Sequence, residues 1–205
     1  MTYSNKLTAH YLELAKLPIN EGNFAGDDVR YSSEYEVLEN ELGKATALHE
    51  TAAIDWQKVR ENSEILLSAH SKDLRVAAWL IWGLYQRESF AGLQAGFSLL
   101  HYLCLNHWAE LHPRKARTRA AAISWLIPRL EQALAEHVPI GEQLALFRSL
   151  AEQLRALEAC LAEHLGEDAP LLLPLCRRLD ELVKRASQGQ PEPGSVSAAI
   201  AQVKQ

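Results

Sequence analysis

The sequence has little with which to staple a chain, turn it sharply or carry it through a membrane. Its three cysteines, Cys104, Cys160 and Cys176, are odd in number, widely spaced and set among leucines. That pattern fits reduced, buried thiols and not a disulfide framework. Only 10 glycines and 8 prolines punctuate 205 residues, and the hydrophobic content is 48%. Collagen-like structure and disorder are thereby excluded. The uncharged apolar run Val76–Tyr85 spans 10 residues, about half of what a bilayer-spanning helix requires. Basic charge is also short: 21 Lys and Arg against 26 Asp and Glu leave a net charge of −5. A general nucleic-acid binder is disfavoured, because such binding rests on neutralising phosphates. No signal peptide is expected, since His10, Glu13 and Lys16 interrupt the N-terminal segment. The class expected is a soluble, intracellular, globular protein long enough to bury its own core.

What is present is helical periodicity. A first helix is predicted over about 5–16, then a loop marked by Pro18, Gly22 and Gly26 that reaches Arg30. An acidic helix follows, with Leu38, Leu42 and Ala45 at helical spacing. Asp55 is placed to cap a third helix whose buried stripe is Trp56, Val59, Leu66 and Leu67. Residues 76–84 and 90–108 are apolar on nearly every side, which a helix tolerates when other helices surround it. They are placed at the centre of a bundle, with Ser71 and Ser89 as candidate N-caps. A helix over 118–136 contains Pro128, which predicts a kink or break. Leu144, Phe147, Leu150, Leu154, Leu157 and Leu161 form one stripe. Gly166 ends that helix, Asp168 and Pro170 open the next, and Leu172, Cys176, Leu179 and Val183 face back. The fold class expected is all-α: a compact bundle of about seven or eight helices over residues 1–186, with a C-terminal antiparallel helical hairpin. Residues 187–205 read as a polar Pro/Gly linker and the start of a tail that continues in a longer parent protein.

Chemistry-bearing residues do not converge. His101, Cys104 and His107 step by three along one helix, spreading over about 120° of arc and ~9 Å of rise. One ion could not be shared among them unless His112 folded back. Ser68, His70, Ser71 and Asp73 lie within six residues but lack a strained nucleophile turn and flanking oxyanion-hole glycines. No phosphate-binding loop, G-x-G-x-x-G or H-E-x-x-H motif occurs. No cofactor and no metal are expected. Trp79 and Trp82, inside the all-apolar stretch, read as core. Acids dominate residues 1–70, and the densest basic stretch runs Arg114-Lys115-Ala116-Arg117-Thr118-Arg119, with Arg129 beyond it and no acid between. Positive charge is unfavourable at a helix start, so this stretch is a candidate for meeting an acidic partner.

Several segments, read in order, carry a resemblance. They are Gly26-Asp27-Asp28-Val29-Arg30-Tyr31; Asp55-Trp56 with Val59; Ser71-Lys72-Asp73-Leu74-Arg75-Val76-Ala77; and Gly92-Leu93 through Gly96 to Leu100. His107-Trp108 through Leu111-His112-Pro113 and Arg119 through Trp125-Leu126 complete the set. Together they resemble the ImpA-type N-terminal domain of the TssA-like family of type VI secretion proteins, over residues 17 to 130 and more loosely to 185. The resemblance implies an all-helical, non-enzymatic interaction domain in the bacterial cytoplasm, in contact with baseplate, sheath or tube components. It also implies that other regions of the parent protein build a ring or cap the sheath, so this domain alone is expected as a monomer or weak dimer. Lys72, Arg75, Arg114, Lys115 and Arg117 are the expected partner-binding surface. Gly26, Asp28, Arg30, Asp55, Trp56, Asp73, Trp108, Pro113, Arg119 and Trp125 are expected to hold the fold at helix junctions. The competing expectations are a helical scaffold of another complex and a metal-dependent helical enzyme using His101–His112.

Overall fold

The computed structural model describes residues 2–46, 52–136 and 138–189. Among them are eight α-helices and no named strand: α1 (Tyr3–Lys16), α2 (Ser33–Gly43), α3 (Trp56–Ala69), α4 (Leu74–His107), α5 (Ala116–Ser124), α6 (Ile127–Ala135), α7 (Leu144–Leu165) and α8 (Leu173–Gly189). The all-α expectation holds. Four N-termini are closed by short polar side chains that accept an orphan amide: Thr2 from Asn5, Ser32 from Tyr35, Asp55 from Lys58, and Asp73 from Arg75 and Val76. Each such cap contributes about 1 kcal/mol. Asp55 is the cap expected for α3. Ser71 is not the cap of α4; that role falls to Asp73, whose carboxylate stands at the correct distance from the first turn.

The centre of the molecule is α4, and it is folded on itself. Ser89 has φ 55° and ψ −141°, outside both the helical basin and the extended conformation of an N-cap. The helix reverses there. Its arms, 74–88 and 90–107, lie side by side, so that Gly92 abuts Leu84 and Gly96 abuts Ile81. Their far ends are tied by the Leu74 amide donating to the His112 carbonyl at 2.8 Å. Ser89 thus marks the expected break through backbone geometry, not as the N-cap expected there. Both arms are enclosed: Val76, Leu80, Ile81, Leu84, Leu99 and Leu100 have no exposed surface, and Phe97 has 2%. α1, α3 and α7 pack around this hairpin.

The outer elements follow from local chemistry. α2 stops at Gly43, leaving Ala45 exposed in the next turn and outside the stripe. Glu41, 3% exposed, accepts from the Asp55 amide at 2.7 Å and pairs with Lys44 at 3.0 Å, joining the end of α2 to the start of α3. The segment around Pro128 is two helices: α5 ends at Ser124, and Pro128 occupies the first turn of α6, where its missing donor costs nothing. Gly166, with φ 55°, ends α7. Asp168 does not open the next helix, since a 3-10 turn covers Gly166–Asp168 and α8 begins at Leu173. α8 packs on α7, with an Arg155–Asp180 ion pair and an Arg148–Ser187 hydrogen bond across the contact. It runs to Gly189, into the stretch read as linker, and residues 190–205 lie outside the described residues.

Candidate functional site

Three connecting segments cross at one end of the α4 hairpin, and most residues singled out in the sequence meet there. The backbone of residues 71–74 runs between the other two. Lys72 donates its amide to the Ala25 carbonyl at 2.8 Å, while the Lys72 carbonyl accepts from the His112 amide at 3.1 Å. His112 Nε2 donates to the Gly26 carbonyl at 2.8 Å and closes the triangle. Gly26 has φ 66°, and a Cβ there would fall 3.0 Å from the carbonyl carbon of His70 and 2.9 Å from Ile19 Cγ2. Only glycine satisfies both the angle and the approach.

The charged residues of this junction are mostly consumed by it. Arg119 is 4% exposed. Its guanidinium donates to the Pro113, Trp108 and Leu111 carbonyls at 2.6, 2.7 and 2.6 Å and lies 4.6 Å from the Trp108 ring centroid. Burial, then the nearby Arg114 charge, lowers its pKa from the ordinary arginine value. Asp73 accepts from Arg75 through Nε at 3.1 Å and Nη2 at 2.7 Å, and Arg75 lies over the Tyr35 ring and 3.9 Å from Asp28. Asp28 pairs with Arg30 at 2.9 Å. Burial raises the Asp28 carboxyl, but hydrogen bonds from Arg30 and the charges of Arg30 and Arg75 outweigh it, so the pKa lies below the usual carboxylate range. Trp108 stacks on His164 at 4.6 Å where α4 ends.

Two residues expected on a partner-binding surface are therefore not available for it. Lys72 is 1% exposed; its Nζ donates to the Leu14 carbonyl at 2.9 Å, in the last turn of α1, and sits 5.5 Å from the Phe24 ring centroid. The long lysine stem lets a cation two residues before α4 reach a carbonyl that α1 itself leaves unsatisfied. Arg75 is spent on Asp73. What remains exposed is Arg114, Lys115 and Arg117, at the start of α5. No acid occupies the first turn of α5, so each cation there opposes the helix dipole by about 0.3–1 kcal/mol.

Burial drops the Lys72 pKa to about 8, and this gives a pH signature. An unfolded lysine holds its proton to a higher pH, so between about 8 and 10 the unfolded chain binds more protons and this group adds stability as pH rises. The thiols, held up by burial, act in the opposite sense over the same range. The comparison must therefore be with Lys72→Met. Relative to wild type, the variant is expected to lose roughly 2 kcal/mol between pH 7 and 10 by urea denaturation. A constant difference would show that the lysine titrates normally.

The metal-like and triad-like clusters are dispersed. His112 is bound to Gly26; His107 stacks on Phe24 at 3.5 Å and pairs with Glu110 at 3.5 Å; the Cys104 thiol is buried and its pKa raised by that burial. Among the described residues no group of three or more His, Cys, Asp or Glu could hold a metal ion. Ser68 donates to the Ile65 carbonyl, His70 faces Glu34 at 4.0 Å, and Asp73 is the α4 cap. A groove of about 650 Å³ between α1, α4 and α7 is lined by hydroxyls, amides and small apolar groups, including Ser4, Gln94 and Ser149. It contains no carboxylate, imidazole or thiol. No described helix is long and apolar enough to cross a membrane.

Comparison with known proteins agrees with the resemblance read from the segments. The family described as ImpA, N-terminal, type VI secretion system matches residues 17–128. No curated protein matches the chain. Among solved structures, it is similar to the N-terminal domain of the TssA component of the type VI secretion system from Burkholderia cenocepacia, a domain that includes the ImpA N-terminal region. The TM-score is 0.70 at 22% identity, covering 88% of this chain and 95% of that one. At that identity the likeness is one of fold.

Proposed function

The chain belongs to the ImpA N-terminal family of the type VI secretion system, and from that premise we propose that it is the non-enzymatic docking domain of a TssA-like assembly protein in the bacterial cytoplasm. It binds baseplate, sheath or tube components through a preformed surface, while the remainder of the parent protein oligomerises. The domain by itself is a monomer or weak dimer. Repetition in an oligomer raises the effective concentration, so a weak contact per domain suffices.

The observation that carries this reading is the exposure of Arg114, Lys115 and Arg117 on a rigid backbone. The segment that presents them is held on one side by the His112–Lys72 pairing and on the other by Arg119, which grips the carbonyls of Trp108, Leu111 and Pro113. A surface fixed in this way loses little conformational entropy on binding. The paired substitution Arg114→Glu and Arg117→Glu is expected to reduce recovery of baseplate, sheath or tube proteins in a pull-down by about tenfold or more. The melting temperature should not fall, because Arg114 contributes one exposed hydrogen bond, to the Ala109 carbonyl, Arg117 is exposed, and acids suit a helix start better than cations. Undiminished recovery with intact folding would reject the surface.

A further inference from the structure

The docking reading above leaves open the chemistry of the partner, and the surface around α5 narrows it. Arg117, Ala121 and Trp125 follow one another at four-residue steps and share a side of the helix. Trp125 is partly buried against the core. The Arg129 guanidinium lies 3.6 Å from its ring centroid and donates to the Trp125 carbonyl at 2.7 Å. Ala121, in the middle, is exposed. The result is a strip with cations at both ends, an aromatic face near one of them and a small residue at its centre. No acid occurs in the sequence between Glu110 and Glu131. Among the described residues none of Arg114, Lys115, Arg117 and Arg129 forms an ion pair. Glu167 and Asp168, on the 3-10 turn that packs on α5, leave them unpaired.

We propose that this strip, resting on the docking role, receives a carboxylate-rich helix of a partner protein. Its acids pair with Arg114, Arg117 and Arg129, and an apolar side chain lies over Ala121 against the edge of Trp125. Tryptophan and arginine are the residue types that most often carry interface binding energy, and the arginines here have no carboxylate partner. The small Ala121 lets a second helix approach closely. A protein is favoured over a nucleic acid because a chain of net charge −5 repels a long polyanion outside the strip.

The test uses the full chain and a short fluorescein-labelled helical peptide with Glu at i, i+4 spacing and one central Leu, followed by anisotropy at low and moderate salt. Binding is expected, and it weakens about tenfold at the higher salt. Ala121→Glu is expected to lower affinity about tenfold or more, with an unchanged melting curve, because an exposed helical Ala is replaced by another good helix former. A matched peptide with Gln for Glu should not bind. Wild-type affinity in Ala121→Glu, equal binding of the Gln peptide, or tighter binding of a DNA duplex would overturn the proposal. If the acidic peptide fails to bind while the Arg114→Glu, Arg117→Glu pair still abolishes the pull-down, the partner chemistry is wrong and the docking role stands. Peptide binding with an unaffected pull-down would show an acid-binding strip and reject its use in secretion docking.

Discussion

Arg119→Ala is expected to destabilise the protein by roughly 3–5 kcal/mol, one of the two largest single losses in the molecule. Three carbonyls converge on one guanidinium, those of Trp108, Leu111 and Pro113, and all three belong to the short connection between α4 and α5. That connection has few backbone partners of its own. Removing the donor leaves the Leu111 and Pro113 carbonyls unpaired, while the Trp108 carbonyl keeps the Leu111 amide at 3.3 Å; each orphaned acceptor is worth about 1–3 kcal/mol, with some relief as water enters. The guanidinium also fills the space above Trp108. Arg119→Lys should recover only a part, because an ammonium on a flexible stem cannot serve three acceptors in one plane as the planar fork does. Arg117→Ala, two residues away and exposed, should stay within about 0.5 kcal/mol. Urea denaturation of the three variants gives the contrast. A loss below about 1 kcal/mol for Arg119→Ala would mean that the connection is not held by this side chain.

The same residue shows where reading the sequence works and where it stops. Apolar periodicity located the helices, because burial of a face leaves a repeat in the sequence: the central arms, the α7 stripe and the Asp55 cap stand where the pattern put them. Arg119 was legible as a junction residue through the resemblance of its segment to a family, but the three carbonyls it binds come from folding and leave no local signal. Lys72 is the sharper case. A lysine beside an aspartate at a helix start reads as surface, and nothing nearby announces that Leu14, 58 residues earlier, supplies the acceptor. Asp73 and not Ser71 is the cap because α4 starts at Leu74, and apolar periodicity does not mark a helix end to within two residues. The basic stretch divided for a similar reason. Arg114, Lys115 and Arg117 kept their exposure while Arg119, two residues on and so on the opposite side of the helix, turned inward. The Trp125–Arg129 contact follows the i, i+4 spacing of a helix, whereas Pro128 signalled a break nearby but not its position.

Gly92→Ala should be the other severe loss, about 3 kcal/mol net of the roughly 1 kcal/mol that alanine gains in helix propensity. The two arms of α4 touch through backbone at this point. A Cβ on Gly92 would lie 2.5 Å from the carbonyl carbon of Leu84, nearer still to its oxygen, and 3.1 Å from Glu88 Cβ. A carbonyl cannot swing aside as a side chain can, so the arms must separate, and they are held three residues away by a single reversal at Ser89. The other glycines grade the effect. At Gly96 the added carbon meets Ile81 Cγ1 at 2.7 Å and its Cα and Cβ at 3.2 Å; at Gly83 the nearest atom is Val59 Cγ1 at 3.4 Å; at Gly43 nothing lies within 4 Å. Alanine at Gly43 should therefore be neutral or slightly stabilising, at Gly83 close to neutral, at Gly96 destabilising, and at Gly92 most destabilising of the four. Denaturation midpoints would rank them. A Gly92→Ala protein as stable as Gly43→Ala would mean that the arms are not in backbone contact. The central hairpin would then owe its closure to packing of buried side chains such as Ile81 and Leu84 and to the Leu74–His112 tie, and with it the rigidity of the junction that presents Arg114 and Arg117.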